Sequence, residues 1–255
     1  MRLALHPTGE TGHRAGRILL AEPGLEALGI YGHRSPAAEE RRATAITTLA
    51  GFSVLASDDA VAPLDLAAIA VEDGLSCVLA ADVAPGPELA ARFAARGLSL
   101  LVGASLPGLA EALAHRAEAG GPGALLLAWT RPGRPGPREV AVPFPAPLGA
   151  CWGSRLPPRP GDRPDDARVE VPREGPWAGA LARVTSGKGR RREERLVAVA
   201  DDRLHLEAIA LAAGALLLAG GGVPPGAGRP RAVGAGYLAA CLGVGLEVAG
   251  LGTRG

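Results

Sequence analysis

The chain is poor in cysteine, lysine and aromatic residues, and each shortage narrows the class of protein. Its 255 residues include three cysteines, Cys77, Cys151 and Cys241, without a Cys-x-x-Cys spacing. A disulfide framework or a structural zinc site is therefore not expected, and a reducing compartment fits. Aromatic residues make up only 3% of the chain against 47% hydrophobic residues. A sizeable core is therefore possible, built mainly from Ala, Leu and Val.

The chain also lacks a charge excess and a long apolar run. Its formal net charge is +1, which gives no general attraction to nucleic acid or anionic membranes. The basic run at 188–195 contains two glutamates and no aromatic residue, unlike a nucleic-acid patch. The apolar run at 208–222 is short and glycine-rich, and residues 1–8 do not resemble a signal peptide. We expect a cytoplasmic protein without membrane or nucleic-acid partners.

Residues 2–20 are the most informative segment. An apolar run meets a glycine-rich turn, and an amphipathic helix follows. This order is typical of the first strand, phosphate loop and first helix of a dinucleotide-binding fold. We expect Gly9 to allow the tight turn, Gly12 to let the backbone approach a pyrophosphate, and Ala15 or Gly16 to bring the helix close to the sheet. The cofactor-binding candidates in this segment are Gly9, Thr11, Gly12, His13 and Arg14. The alternative is a glycine turn in another α/β protein.

Strand and helix patterns then alternate as far as residue 115. Buried apolar runs such as 75–80 and 98–103 are separated by helix-prone segments. This rhythm predicts an α/β fold with a Rossmann-type, doubly wound parallel sheet. Composition changes near Gly120, so we expect a dinucleotide-binding domain over 1–122 and a smaller α+β domain over 123–255. The second domain is expected to cover the carboxyl ends of the parallel strands and to carry the substrate or oligomer contacts.

The sequence also predicts individual elements. A helix is expected over 36–47, an exposed loop over 153–176, and a last strand over 245–250. Two antiparallel strands are expected at 180–186 and 194–200. Long helices are expected at 204–218 and 233–242, and the second of these could serve a homo-oligomer.

The end of the second strand bears on cofactor choice. No acidic residue follows Tyr31, whereas Gly32, Arg34 and Ser35 could accommodate and bind the 2′-phosphate of NADP. NADP(H) is therefore favoured over NAD(H), and an ordinary surface arginine is the alternative. The remaining cofactor candidates follow the carboxyl ends of later strands and would border the nicotinamide: Asp82, Gly103 and Ser105.

Several segments resemble known oxidoreductases. The turn at 8–12, the stretch 102–114, the segment 143–149 and the late helix at 204–218 resemble the saccharopine dehydrogenase-like proteins. The same layout is similar to dihydrodipicolinate reductase. The resemblance implies NAD(P)H-dependent hydride transfer to or from a carbon bonded to nitrogen, or reduction of a related double bond.

Candidate catalytic residues are few. His205 lies beside acidic residues at the start of the long helix and is the best proton donor, while a capping histidine is the alternative. Lys188 could bind a substrate carboxylate, although a solvated hairpin tip is the simpler interpretation. Tyr237 could donate a proton, although helix packing is the favoured interpretation, and no metal-ligand spacing is present. The sequence thus favours an NADP(H)-dependent oxidoreductase acting on a small anionic amino- or keto-acid-like metabolite. Because neither family's catalytic motif is present, the alternative is a non-catalytic dinucleotide-binding sensor or assembly subunit.

Overall fold

The fold divides into two compact units, each assembled from two stretches of chain. The computed structural model describes residues 1–32, 42–134, 136, 138–159, 162–187 and 193–254, with only the backbone at 251–254. One unit comprises Met1–Ser105 and Glu207–Gly245, and the other comprises Leu106–Leu206 and Leu246–Gly255. The sequence-predicted domains, 1–122 and 123–255, cut the chain only once and stay a prediction about its organisation.

The first unit is built on a seven-stranded sheet in the order β13-β6-β5-β4-β1-β2-β3, and all its strand pairs are parallel. Its elements are β1 (Arg2–His6), α1 (Glu10–Ala21), β2 (Ala27–Tyr31), β3 (Ala43–Ile46), β4 (Val54–Ser57), α2 (Pro63–Glu72), β5 (Ser76–Leu79), α3 (Pro87–Ala95), β6 (Ser99–Val102) and β13 (Gly226–Gly228). Strands β4 and β6 are buried throughout, as expected for parallel strands between helical layers. The predicted Rossmann-type sheet is confirmed.

The second unit contains a mixed sheet in the order β14-β12-β11-β7-β10-β9-β8. Its elements are α4 (Leu106–Glu118), β7 (Ala124–Pro132), β8 (Val140–Pro143), β9 (Ala150–Arg155), β10 (Ala167–Arg173), β11 (Trp177–Ser186), β12 (Glu193–Asp202) and β14 (Ala249–Arg254). Strands β7 and β10 pair in parallel, and the other pairs are antiparallel. Helix α4 packs against β7, β11 and β12. This arrangement confirms a smaller α+β part.

Three helices complete the fold: α5 (Arg203–Ala219), α6 (Pro230–Val233) and α7 (Ala235–Gly243). Helix α5 packs closely on the parallel sheet, since a Cβ added to Gly214 would lie 2.7 Å from Val78 Cγ2. On α7 the Tyr237 ring is fully buried, and its hydroxyl donates to the Ala210 carbonyl at 2.8 Å. Both contacts lie within the first unit. The first joins α5 to β5, and the second joins α7 to α5.

Four local predictions differ from the structure. The helix predicted over 36–47 is wrong at 43–46, which form β3; residues 33–41 lie outside the described part of the chain. The loop predicted over 153–176 includes the end of β9 and all of β10, whose inward side chains Val169 and Val171 are buried. The helix predicted over 233–242 is interrupted at Gly234, and the last strand begins at Ala249 rather than 245. The antiparallel pair β11–β12 is confirmed.

Candidate functional site

The parallel sheet has its topological switch point between β1 and β4. From β1 the chain proceeds to β2 and β3 on one side, and it then crosses to β4, β5 and β6 on the other. The loop after β1 leads into α1, and the loop after β4 begins at Asp58. Ligands of open α/β sheets bind outside the carboxyl ends of the strands at such a point. The switch point is therefore the candidate cofactor site of the first unit.

The loop after β1 surrounds an anionic group, and that group is the side chain of Asp58. The backbone N–H of Thr8 donates to Asp58 Oδ1 at 2.6 Å, and the Thr8 hydroxyl donates to the same oxygen at 3.1 Å. The N–H groups of Gly9 and Gly12 donate to Asp58 Oδ2 at 3.1 and 2.8 Å. The positive end of α1 adds to the attraction. Sequence reasoning missed Asp58, because its place beside this loop depends on the pairing of β4 with β1.

Two glycines of this loop differ from their expected roles. Gly9 has an extended backbone (φ −150°, ψ −171°), so the turn does not depend on a conformation reserved for glycine. Gly12 is required for close packing, because a Cβ there would lie 2.7 Å from Pro7 Cα and 2.9 Å from Asp58 Cγ. The close approach expected at a pyrophosphate is made instead to Pro7 and Asp58. Gly16 does lie close to the sheet, 3.1 Å from Leu5 Cδ2 by the same measure.

A second carboxylate reaches the loop from α5. The Thr11 hydroxyl donates to Glu207 Oε2 at 3.2 Å. The contacts described for the other two candidates on α1, His13 and Arg14, do not indicate a ligand. Arg14 forms a half-exposed ion pair with Glu10, with Nε 3.4 Å from Oε1, and the His13 N–H donates to the Gly9 carbonyl within the helix. Two carboxylates from other elements, Asp58 and Glu207, therefore contact the N-terminal end of α1.

The end of β2 is described only as far as Gly32. Gly32 has φ +78°, and a Cβ there would lie 2.8 Å from two atoms of the His6 ring, so only glycine suits this position. His6 Nδ1 lies 2.9 Å from the Tyr31 carbonyl oxygen, at the carboxyl end of the neighbouring strand. Arg34 and Ser35, the candidates for the 2′-phosphate, lie outside the described residues.

The ends of β5 and β6 bring together the other cofactor candidates with an arginine that sequence reasoning missed. Arg229 follows β13, and its Nη1 lies 2.7 Å from Asp82 Oδ1. Its Nη2 would lie 3.4 Å from a Cβ on Gly103, and the Ser105 N–H donates to the Gly103 carbonyl at 2.9 Å. No local sequence pattern indicates Arg229, because its place depends on the pairing of the late strand β13 with β6 at the edge of the sheet. The half-exposed Asp82–Arg229 pair places both charges at the carboxyl edge.

The catalytic candidates are described only in part. His205 lies at the start of α5 in the second unit; its N–H donates to Asp202 Oδ1 at 3.1 Å, and its Nε2 lies 3.9 Å from Asp201 Oδ2. Its side chain is 42% exposed, so it is accessible to solvent. Lys188 lies outside the described residues. Tyr237 is buried and bound to a carbonyl, which makes it a packing residue in this structure.

The described residues form neither a disulfide nor a cluster of metal ligands. The three cysteines are unpaired and buried, and burial raises the pKa of the Cys77 and Cys241 thiols. In the same part of the chain no group of three His, Cys, Asp or Glu side chains could hold a metal ion. Nor does any described helix combine the length and apolar character that crossing a bilayer requires.

The donor set at the switch point fits an anion of phosphate chemistry. Three backbone N–H groups and a hydroxyl converge on one place, which is the arrangement that holds phosphates at helix N-termini. The same donors are engaged by Asp58. A dinucleotide pyrophosphate would therefore fit these groups only after the carboxylate has moved away.

Comparison with known proteins yields structural likeness only. No protein-family model and no curated protein matches the chain. Its structure is similar to dihydrodipicolinate reductase from Paenisporosarcina, bound to dipicolinate (11% identity, 90% of this chain and 97% of that chain, TM-score 0.52). It is also similar to DAP dehydrogenase of C. glutamicum in complex with DAP (13%, 91% and 93%, 0.54) and to an engineered D-amino acid dehydrogenase bound to NADP⁺ (13%, 91% and 93%, 0.56). Because the sequence identity is so low, these similarities show that the chain shares the fold of these dehydrogenases and reductases.

Proposed function

We propose that the protein is an oxidoreductase that binds NADP(H) along the carboxyl edge of its parallel sheet. The observation that carries this proposal is the loop at the switch point, where Thr8, Gly9 and Gly12 direct their N–H groups at one anionic group. The bound cofactor would supply or accept the hydride, and the protein would orient the substrate. The likeness in fold to dehydrogenases supports the proposal.

The preference for NADP(H) over NAD(H) rests on the end of β2. No acidic residue stands at this end of the strand, and the sequence places Arg34 and Ser35 two and three residues after Gly32. A guanidinium can pair with a phosphate through two parallel hydrogen bonds, which a ribose hydroxyl cannot match. One neighbour in structure is bound to NADP⁺, which agrees with this preference.

The proposed substrate is a small anionic amino- or keto-acid-like metabolite. Two structural neighbours are bound to small carboxylates, one to dipicolinate and the other to DAP. In this chain His205 is the proposed proton donor, and Lys188 is the proposed partner of a substrate carboxylate. The resemblance to saccharopine dehydrogenase-like proteins stays a prediction within this proposal, and so does the cytoplasmic location.

Fluorescence titration of the purified protein with NADPH and with NADH tests the proposal. We expect NADPH to bind more tightly than NADH. Arg34→Glu should weaken NADPH binding by about tenfold or more. A matched charge reversal at the exposed Arg17 of α1 should leave it unchanged. If neither nucleotide binds, the loop is structural and the proposal fails. If both charge reversals weaken NADPH binding equally, only the role of Arg34 is refuted.

The second candidate function is a dinucleotide-binding protein without catalysis. The position of Asp58 in the loop favours it, because a protein that binds a dinucleotide weakly or conditionally would tolerate a competing carboxylate. Oxidation of NADPH that depends on an added keto acid or imine would exclude this candidate. A His205→Ala variant with full turnover would remove only the proposed proton donor.

A further inference from the structure

The Asp58 carboxylate uses both of its oxygens on the phosphate loop. Oδ1 accepts from the backbone and hydroxyl of Thr8, and Oδ2 accepts from Gly9 and Gly12. The four donors belong to the loop after β1 and the first turn of α1. A carboxylate held in this way resembles a bound anion more than an ordinary helix cap, since it comes from the loop after β4, 46 to 50 residues away.

A phosphate and this carboxylate exclude each other. Gly12 is packed so closely that the place of its missing Cβ lies 2.9 Å from Asp58 Cγ, which leaves no room for a phosphate between them. A phosphate placed beside Asp58 would also meet a like charge within a few ångströms, which is repulsive. A second carboxylate, that of Glu207, accepts a hydrogen bond from the Thr11 hydroxyl in the first turn of α1.

The backbone on both sides of Asp58 is held independently of the loop. Ser57 belongs to β4, and its hydroxyl donates to the His6 carbonyl at 3.2 Å. Asp59 Oδ1 accepts from the N–H groups of Val61 and Ala62 at 2.7 and 3.4 Å. Rotation of the Asp58 side chain could therefore release the loop donors while the neighbouring chain stays in place.

We propose that Asp58 is an internal occupant of the phosphate loop, which a pyrophosphate-containing ligand must displace in order to bind. The inference rests on the proposed function for the identity of that ligand, a nicotinamide dinucleotide. The Asp58 carboxylate and the ligand's phosphate compete for one set of donors, so the loop binds either one or the other. Wild-type affinity for pyrophosphate groups is accordingly lower than the donor geometry alone would allow.

The test compares Asp58→Asn with a matched control, Asp59→Asn, in the full-length chain. Asparagine keeps an acceptor oxygen for the loop but loses the charge. The control removes the same charge one residue away, from a side chain that contacts only Val61 and Ala62 among these groups. The probes are inorganic pyrophosphate and NADPH, and the readouts are Kd and the amide ¹H–¹⁵N shifts of Gly9 and Gly12.

We expect Asp58→Asn to bind both probes at least about tenfold more tightly than wild type, with shifts at Gly9 and Gly12, and the control to stay within about threefold. Pyrophosphate binding by Asp58→Asn that is no tighter than in the control would overturn the inference. Tighter pyrophosphate binding without NADPH binding in any form would instead overturn the proposed function and leave the competition at the loop standing.

A second test uses the wild-type protein and therefore does not depend on the folding of a variant. Saturating pyrophosphate should shift the Gly12 amide and the ¹³C resonance of the Asp58 carboxyl group together. A shifted Gly12 amide with an unchanged Asp58 carboxyl resonance would show that the ligand binds beside the carboxylate, contrary to the inference.

Discussion

At the scale of single residues, the glycines of the first loop are explained by what packs against them. Gly12 is buried and lies against Pro7 and Asp58, whereas the place of a Cβ on Gly9 is 3.6 Å from Asp58 Oδ2, an ordinary contact. The two positions are three residues apart in one motif, but only one of them requires glycine in this structure. Motif spacing alone does not distinguish them.

Replacing each of these glycines by alanine separates the two roles. Gly12→Ala should lower the free energy of unfolding by about 1 to 3 kcal/mol, because the added methyl group overlaps Pro7 backbone. Gly9→Ala, whose backbone conformation suits alanine, should change it by less than about 0.5 kcal/mol. Urea denaturation of both variants and the wild type measures this. Equal losses would contradict the packing assigned to Gly12.

At the scale of elements, the edge of the parallel sheet depends on a contact made by a late segment. Strand β13 pairs with β6, and the buried Ser99 hydroxyl lies 2.8 Å from the Val223 carbonyl and 2.9 Å from that of Pro224. The Gly226 N–H donates to the Leu98 carbonyl at 2.8 Å. Arg229, at the carboxyl edge, follows directly from β13, so these bonds also position its ion pair with Asp82.

Removing the Ser99 hydroxyl should loosen this strand. Ser99→Ala removes the single O–H that the Val223 and Pro224 carbonyls share, at a cost of about 1 to 2 kcal/mol. Amide hydrogen exchange should accelerate at Gly226 and much less at Val78 in the centre of the sheet. Ser76→Ala on β5 is a suitable comparison, since its hydroxyl accepts from the Ser99 N–H outside the β13 contact. Unchanged exchange at Gly226 would argue against this account.

The sequence predicted elements whose patterns are local. Strands such as β5 and β6 and helices such as α5 follow from apolar runs and their flanking residues. The sequence predicts helix at β3 because these four residues follow a charged, helix-prone stretch, whereas their pairing with β2 decides their structure. The contact of Asp58 with the loop and the position of Arg229 depend on strand order, which no local pattern encodes.

At the scale of the whole molecule, the first unit needs its late segment. Helix α5 packs on β5 through Gly214, and β13 extends the sheet beside β6. Strand β13 and α5 from Glu207 onward belong to Glu207–Gly245, which follows most of the second unit along the chain. Residues 1–122, the domain expected from composition, lack this segment.

A fragment of residues 1–122 should therefore fail to unfold cooperatively, while the full chain should do so. Without α5 the side chains of Val78 and Leu101 lose the helix that covers them. Circular dichroism during urea denaturation distinguishes the two cases, and a fragment of 1–105 joined by a glycine-serine linker to 207–245 is the matched control. Cooperative unfolding of the 1–122 fragment would instead support the division made from the sequence.

The reactivity of the buried cysteines can report where the protein opens locally. Cys77 and Cys241 belong to the first unit and Cys151 to the second, and all three side chains are unpaired. A thiol reacts as its thiolate, and burial raises the pKa of Cys77 and Cys241, so both are doubly protected while the first unit stays closed. The order in which alkylating reagents modify the three positions therefore records which unit opens first.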